Sequence, residues 1–241
     1  MLNDLGSWTA ILLGGLVVTI QLAAISLVLS VLLSATIAIM SISPWRLLRI
    51  FAGLYVDIFR SIPILALAIS AYFGLGSTLA RLGITSFGTA IGVLTLIEGA
   101  YLAELYRGSL ESIRTPQWDA GASLGLSWTS TLRHVILPQA LPPAIPITLN
   151  MTIAIIKDSS LVSLIAVNEI TNVANQLIAV TFQPVQIYAL VALLYLALIL
   201  PLSQASRVIE GYVARRLGIG PRTERERALR QLASASELKV G

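Results

Sequence analysis

Apolar runs of membrane length alternate along this chain with short polar breaks. A helix needs about 20 predominantly apolar residues to cross the hydrocarbon core of a bilayer, and five runs reach that length: 12–40, 51–75, 87–106, 142–167 and 187–206. Backbone polar groups in lipid must be satisfied within the segment, which helices do. The pattern therefore predicts an all-α protein, a polytopic membrane helical bundle of about five transmembrane helices. The first run follows MLNDLGSWTA, which lacks a basic n-region, and it stays apolar for longer than the h-region of a secretory signal. It is expected to be a retained span.

The charges between the runs orient the bundle. Arg46 and Arg49 follow the first run, Arg81 stands alone after the second, Arg107, Arg114 and Arg133 follow the third, and Lys157 stands alone near the fourth. Loops rich in Lys and Arg stay in the cytoplasm, so this alternation predicts an N-terminus outside and a C-terminus inside. The expected organisation is a transmembrane domain over 1–215, containing a cytoplasmic loop at 114–139, and a cytoplasmic tail over 216–241, a helix followed by a loose end. Within the runs, Gly92, Leu96, Gly99 and Ala103 have the spacing of close helix packing in lipid. The fourth run opens with LPPAIP, where the prolines predict an extended entry and then a pre-set first helical turn. The same run is interrupted by KDSS at 157–160. No internal repeat of the kind that builds many secondary transporters is evident.

Composition narrows the class. Apolar residues make up 56% of the 241-residue chain and charged residues 12%, against about 25% charged in soluble domains. The net charge of +4 does not point to nucleic acid, because half of the basic residues lie from Arg207 onward and the positive-inside pattern accounts for them. There are no cysteines and one histidine, His134, so neither a thiolate metal site nor a histidine cluster is available. No nucleophile and base pair suggests catalysis.

Residues 119–140, DAGASLGLSWTSTLRHVILPQA, form a polar segment between the third and fourth runs, with a glycine at its centre. Residues 117–124 predict a short helix. Gly125 suits the C′ position that takes positive φ, and Ser127 offers an N-cap for a second helix over 128–136. Leu137-Pro138 is expected to end that helix, since proline excludes its predecessor from the α region. On the first helix Trp118, Ala122 and Leu124 alternate with Asp119 and Ser123, which predicts a small apolar face. A helix of this kind turned toward the cytoplasm is a plug for a groove in a partner protein.

Asp119, Ala120 and Gly121, then Gly125, Val135 and Leu137-Pro138 resemble the EAA motif of permease subunits of binding-protein-dependent ABC importers. That pattern is EAA, three residues, Gly, nine residues, Ile, one residue, Leu-Pro, and the spacing agrees throughout. Asp119 replaces Glu with a shorter acid, Val135 replaces Ile, and Gly121 replaces Ala at a helix cost of about 1 kcal/mol. GLVVTIQLAAISLVLS in the first run, FRSIP at 59–63, GAYLAELYRGSLESI at 99–113 and KDSSLVSLI at 157–165 look like the polar amino acid uptake permeases, the histidine, glutamine and arginine group. The resemblance covers about residues 14–215.

It implies the ABC type I importer permease architecture and the role of a permease in ATP-driven uptake of polar amino acids or close analogues. The implied partners are a second permease copy or a paralogue, two ATP-binding subunits, an extracytoplasmic solute-binding protein and the bilayer of a bacterial or archaeal cytoplasmic membrane. The loop's first helix would sit in a groove of the ATPase, with Gln117, Trp118, Asp119, Ala120, Gly121, Leu124, Gly125, Leu137 and Pro138 as coupling residues. No cofactor is implied for this chain. ATP is used by the partner, and the chain lacks the GxxxxGK loop, followed by Ser or Thr, that cradles nucleotide phosphates.

Intramembrane ionisable residues are the default candidates for a substrate path. Here they are Asp57, Arg60, Glu98, Glu104, Arg107, Lys157, Asp158 and Glu169. Arg60 stands three residues before Pro63 and is expected either to satisfy carbonyls freed by the proline or to pair with Asp57. Glu104 and Arg107, one turn apart, suit an intrahelical ion pair. Glu98 lies near the middle of its run, and its helical neighbours Tyr101 and Leu102 offer no cation. Its partner is then a substrate cation, a group on another helix, or a proton. Asp158, Ser159, Asn168 and Glu169 flank the interruption in the fourth run and, with Glu98 and Tyr101, make the candidate substrate pocket. The rival readings are an ion-coupled secondary transporter, with an intramembrane acid carrying the proton, and an ABC permease for a solute other than an amino acid.

Overall fold

The protein is described from a computed structural model covering residues 2–113 and 115–216. Arg114 and the expected tail beyond Arg216 lie outside the described residues. The helices in chain order are α1 (Leu2–Ser41), α2 (Arg46–Ser61), α3 (Ile64–Ile69), a π-helical turn (Ser70–Gly74), α4 (Leu75–Arg81), α5 (Ser86–Glu111), α6 (Thr115–Ser123), α7 (Trp128–Thr131), a second π-helical turn (Leu132–Ile136), α8 (Leu137–Asp158), a 3-10 segment (Ser159–Ile165), α9 (Ile170–Thr181) and α10 (Pro184–Arg216). Five stretches are long and apolar enough to cross a membrane: Leu5–Ser41, Ile64–Arg81, Ser86–Glu111, Trp128–Ile165 and Pro184–Arg216.

At the centre α5 lies along α1, with α2, α3 and α8 around it. Lipid gives no hydrophobic gain for helix association, so small residues that let backbones approach must supply the contact. One face of α1 carries Thr19, Ala23, Ser26, Ser30, Ser34 and Ala38, all buried. Thr19 and Ser34 are tolerated there because their hydroxyls donate to carbonyls of their own helix, Gly15 at 3.2 Å and Val31 at 3.0 Å. On α5 the tightest point is Gly99, where a Cβ would sit 3.2 Å from both Leu33 Cδ2 and the Tyr55 hydroxyl. Ala103 packs beside it against Ile37, Ala52 and Val56. The first half of the small-residue spacing is not used this way: Gly92 has nothing within 4 Å and Leu96 is exposed.

Three expectations from the sequence need correction. The run at 51–75 is not one helix. Ile62 and Pro63 are extended, with ψ of 125° and 134°, because the proline ring bars residue 62 from the α region. A mean over apolar composition passes across that break unseen. The prolines of LPPAIP do not make an extended entry, since Pro142, Pro143 and Pro146 all lie inside α8. Nor does Pro138 end the loop's second helix. After one turn α7 widens into the π-helical turn and runs on as α8, where Pro138 occupies the first turn and needs no donor. The Gln139 amide donates to the Val135 carbonyl at 2.7 Å, one of the groups such a turn leaves to side chains.

Between the fourth and fifth runs stands α9, an element with no counterpart in the sequence reading. Glu169 caps it, accepting from the Asn172 N–H at 2.7 Å, and Thr19 on α1 accepts from the Ile170 N–H at 3.2 Å. Its first residues press on α1 so closely that a Cβ on Gly15 would lie 2.8 Å from Ile170 Cα. Leu12, Ala174 and Ile187 seal the contact with α10. Gly15→Leu is expected to push α9 off α1 and to destabilise the fold by about 1–3 kcal/mol, the range for overpacking. Gly14→Leu, with open space around it, serves as the control in thermal unfolding of the detergent-solubilised protein.

Candidate functional site

The break between α2 and α3 lies opposite the middle of α5, and a cavity of about 520 Å³ opens there. Its walls include Arg60, Ser61 and Pro63 from the break, Glu98 and Tyr101 from α5, and Met151, Ala154 and Asp158 from α8. Each wall has a local cause. Pro63 opens the first. Glu98 and Tyr101 share a face of α5 by their three-residue spacing. Asp158 closes the last α-helical turn before the chain tightens into the 3-10 segment.

Glu98 is 3% exposed and stands with Asp158 of α8 at the wall of the same cavity. Two carboxylates brought together repel, and a cation between them relieves the repulsion. The ionisable neighbour that the fold gives Glu98 at this wall is therefore another acid. The site consists of two carboxyl groups, a guanidinium and an aromatic ring around one polar cavity.

Three of the six pocket candidates stand at this cavity: Glu98, Tyr101 and Asp158. The others do not line it. Ser159 is fully buried and donates to the Ile156 carbonyl at 2.7 Å. Glu169 is fully buried as the cap of α9. Asn168 is exposed and accepts from the Gln176 amide at 3.1 Å. The change from α to 3-10 geometry at Ser159 alters the angular step per residue, and a face drawn with one period fails across it.

The charged pairs also divide. Arg107 donates to Glu104 at 2.9 and 2.6 Å and to Glu111 at 2.6 Å. Asp57 and Arg60 make no such pair among the described residues. At the break the Tyr101 hydroxyl donates to the freed Arg60 carbonyl at 3.3 Å, and the Ser61 hydroxyl donates one turn back to Asp57 O at 2.6 Å. The Arg60 guanidinium lies over the Tyr101 ring, 5.3 Å from its centroid. Sequence reasoning counted Arg60 among the ionisable path candidates but expected a structural role for it, whereas it lines the cavity. Pro63 signalled a break, but no spacing could say that the break faces Glu98.

The second site is the loop. Gly125 has φ +72°, its N–H reaches Ala122 O at 2.9 Å, and Leu126 N–H reaches Gly121 O at 3.0 Å. This pair of bonds is the Schellman motif, which stops α6 and turns the chain. Ser127 caps α7, accepting from the Ser130 N–H at 3.3 Å. Trp118 belongs to the inner face of α6, stacked on Trp128 at 5.8 Å and packed with Ile136 and Leu137. The outward residues are Gln117, Asp119, Ala120, Ala122 and Leu124, with Leu124 79% exposed, while Pro138 is exposed farther on. The expected docking face therefore loses Trp118. Gly121 has a steric reason to replace Ala: a Cβ there would meet Thr131 Cγ2 and Oγ1 at 2.6 Å.

A polytopic helical bundle with a polar cavity at mid-height and a two-helix loop projecting from one end is built as a membrane transport subunit. Residues 26–218 match the family of inner membrane components of binding-protein-dependent transport systems, and the chain belongs to that family. It is 31% identical over 210 residues to the nopaline transport system permease protein of Agrobacterium fabrum, covering 84% of this chain and 87% of that one. It is 37% identical over 159 residues to the glutamine transport system permease protein of Escherichia coli, covering 66% and 73%. Among solved structures, a chain of an amino acid ABC transporter crystallised with histidines matches with a TM-score of 0.77 at 27% identity, covering 86% of this chain and 96% of that one. The inward-facing MetNI methionine ABC transporter shares the fold, with a TM-score of 0.72 at 21% identity, covering 84% and 96%.

Gly121→Val is expected to wedge α6 from α7 and to cost about 1–3 kcal/mol of stability. Thr131→Ala in the same chain should recover part of that loss, and the coupling between the two changes is read by a double-mutant cycle of thermal unfolding.

Proposed function

We propose that this chain is the transmembrane permease subunit of an ATP-driven, binding-protein-dependent importer of polar amino acids or close analogues. The observation that carries the substrate class is the presence of two acids, Glu98 and Asp158, at the wall of one cavity halfway along the bundle. Such a pair attracts a cation, and the ammonium and side-chain cations of amino acids supply one. The names of its relatives, permeases for glutamine, arginine, nopaline and octopine, support amino acids and their conjugates.

In this reading the chain builds the path and a separate polypeptide hydrolyses ATP. Two ATP-binding subunits receive the outward face of α6, Gln117, Asp119, Ala120 and Leu124, in their grooves. Trp118 and Trp128 transmit their movement into the bundle, because that stack packs on Ala38 of α1 and Leu110 of α5. A second permease, copy or paralogue, completes the membrane core, and a solute-binding protein delivers the substrate from outside. Arg46 and Arg49 after the first span, and the arginines around the loop, orient the chain with its N-terminus outside and its C-terminus in the cytoplasm. In this reading the transmembrane domain extends to about residue 215, and a cytoplasmic tail follows.

When this chain is tagged and expressed with its neighbouring genes, an ATPase carrying a phosphate loop is expected to co-purify, and to be lost when residues 119–125 become a flexible linker. Purification of this chain alone, with solute uptake driven by an ion gradient, would sink the importer reading. Gly125→Leu places a side chain at positive φ, at a cost of about 1–2 kcal/mol. It should abolish uptake while the spans remain inserted, as read by uptake assays on membranes matched for chain content. Glu98→Gln keeps the shape and removes the charge, and at least a tenfold loss of amino acid uptake is expected, equal to about 1.4 kcal/mol. Undiminished uptake would remove Glu98 from the path.

A further inference from the structure

A groove of about 210 Å³ lies between α1, α5 and α8, apart from the polar cavity. Its floor is small and buried: Ala38 of α1, Leu110 of α5 and Ala140 of α8. Its rim on α8 is open, with Leu141 and Ile145 exposed. The floor residues belong to the cluster on which Trp118 and Trp128 pack, so the groove adjoins the loop. Its depth follows from the residues that line it. They fall within 31–39, just before α1 ends at Ser41, and within 137–148, where α8 begins. With the loop in the cytoplasm, the groove stands at the level of the cytoplasmic leaflet.

The walls decide what fits. Three of their side chains carry polar atoms, and each is engaged within the chain. The Thr148 hydroxyl donates to the Ala144 carbonyl at 2.8 Å and accepts from the Tyr106 hydroxyl at 2.6 Å. The Ser109 hydroxyl donates to the Leu105 carbonyl at 3.2 Å. These side chains offer a ligand neither a charge nor a free donor, so the groove suits hydrocarbon. It is also too small for a helix from a second copy, which with its side chains is about 10–12 Å across.

Toward the loop, the row of Ile145, Leu141 and Leu137 continues to Arg133 at the four-residue step that keeps side chains on one helical face. Arg133 is exposed and makes no ion pair among the described residues. The acid that ends α5, Glu111, is taken by Arg107 at 2.6 Å. An apolar slot with an unpaired cation at its aqueous end complements a molecule whose hydrocarbon chain hangs from an anionic group, and basic residues beside a span attract such lipids. We propose that the groove holds one acyl chain of an anionic phospholipid from the cytoplasmic leaflet, with the phosphate at Arg133. The chain packs against the part of α8 that holds Pro142, Pro143 and Pro146, where the helix is least braced by its own hydrogen bonds. This inference needs the orientation proposed above and nothing about the substrate.

The test uses the complex purified with its permease and ATPase partners and placed in vesicles of equal parts phosphatidylglycerol and phosphatidylcholine. A trace of either lipid carries a diazirine midway along one acyl chain, and adducts are mapped by peptide mass spectrometry after illumination. With the phosphatidylglycerol probe, residues 137–148 should be labelled at least fivefold more than Val28 and Leu32, which are exposed on α1 outside the groove. Ala144→Leu fills the groove and should lower its labelling at least fivefold while Val28 and Leu32 keep theirs. Ala35→Leu, from the opposite wall, should do the same and serves if the first variant does not fold. Arg133→Gln should remove the preference of the groove for phosphatidylglycerol over phosphatidylcholine. Groove labelling no higher than at Val28 and Leu32, or unchanged by both filling variants, overturns the inference, as do peptide crosslinks from the groove to a second permease. An undiminished lipid preference in Arg133→Gln overturns the headgroup assignment. Each of these failures leaves the importer reading standing, which falls instead if no ATPase co-purifies.

Discussion

Everything in this bundle depends on how closely α5 can lie against α1. In lipid, burying a leucine gains little over leaving it among acyl chains, so the helices are held by backbone approach and dispersion contact. The face of Thr19, Ala23, Ser26, Ser30, Ser34 and Ala38 on α1, with Gly99 and Ala103 on α5, permits that approach. Gly99 sits where α1 and α2 both touch α5. The neighbouring Glu98 is buried because its helix is clasped on that side, and it lines the cavity beside the gap made by Pro63. The polar site is thus a by-product of tight packing beside a broken helix.

Much of this was legible before any coordinates. Runs of apolar residues and the placement of arginines define a five-span bundle because hydrocarbon thickness and backbone satisfaction leave few options. The loop was legible because glycine at a C′ position and serine at an N-cap are local chemistry, and Gly125 and Ser127 do what those rules say. Glu98, Tyr101 and Asp158 could be singled out because charge at membrane depth is rare. What could not be read depends on contacts between distant segments. Nothing near Arg60 in sequence tells that α5 brings Glu98 to it. Nothing near Glu169 tells that it caps a helix docked on Gly15. Trp118 was placed outward because an amphipathic guess has no knowledge of Trp128 ten residues later, whose stack turns it inward.

The prolines were misjudged for a different reason. Rules for proline describe a helix in water, where a lost hydrogen bond and a crowded carbonyl end it. In α8 the helix persists through Pro142, Pro143 and Pro146, packed among α1, α5 and α10, as membrane helices tolerate proline where neighbours surround them. The 3-10 segment after Asp158 had a signal, the KDSS interruption, but the signal marks where regularity ends and does not say which way the next residues turn.

Those prolines make α8 a compliant rod. Each removes an axial N–H, so the stretch just above the loop has fewer bonds resisting a bend than a helix of equal length elsewhere in the bundle. The far end of the same rod carries Asp158. A push delivered at Leu137 therefore reaches the cavity as a change in curvature, with the softest part of the helix near the push and the stiff part near the charge. Displacement at one end and rotation at the other are then different quantities. A helix of this construction converts a lateral shove into a tilt of the carboxyl without asking α5, which has no proline, to move.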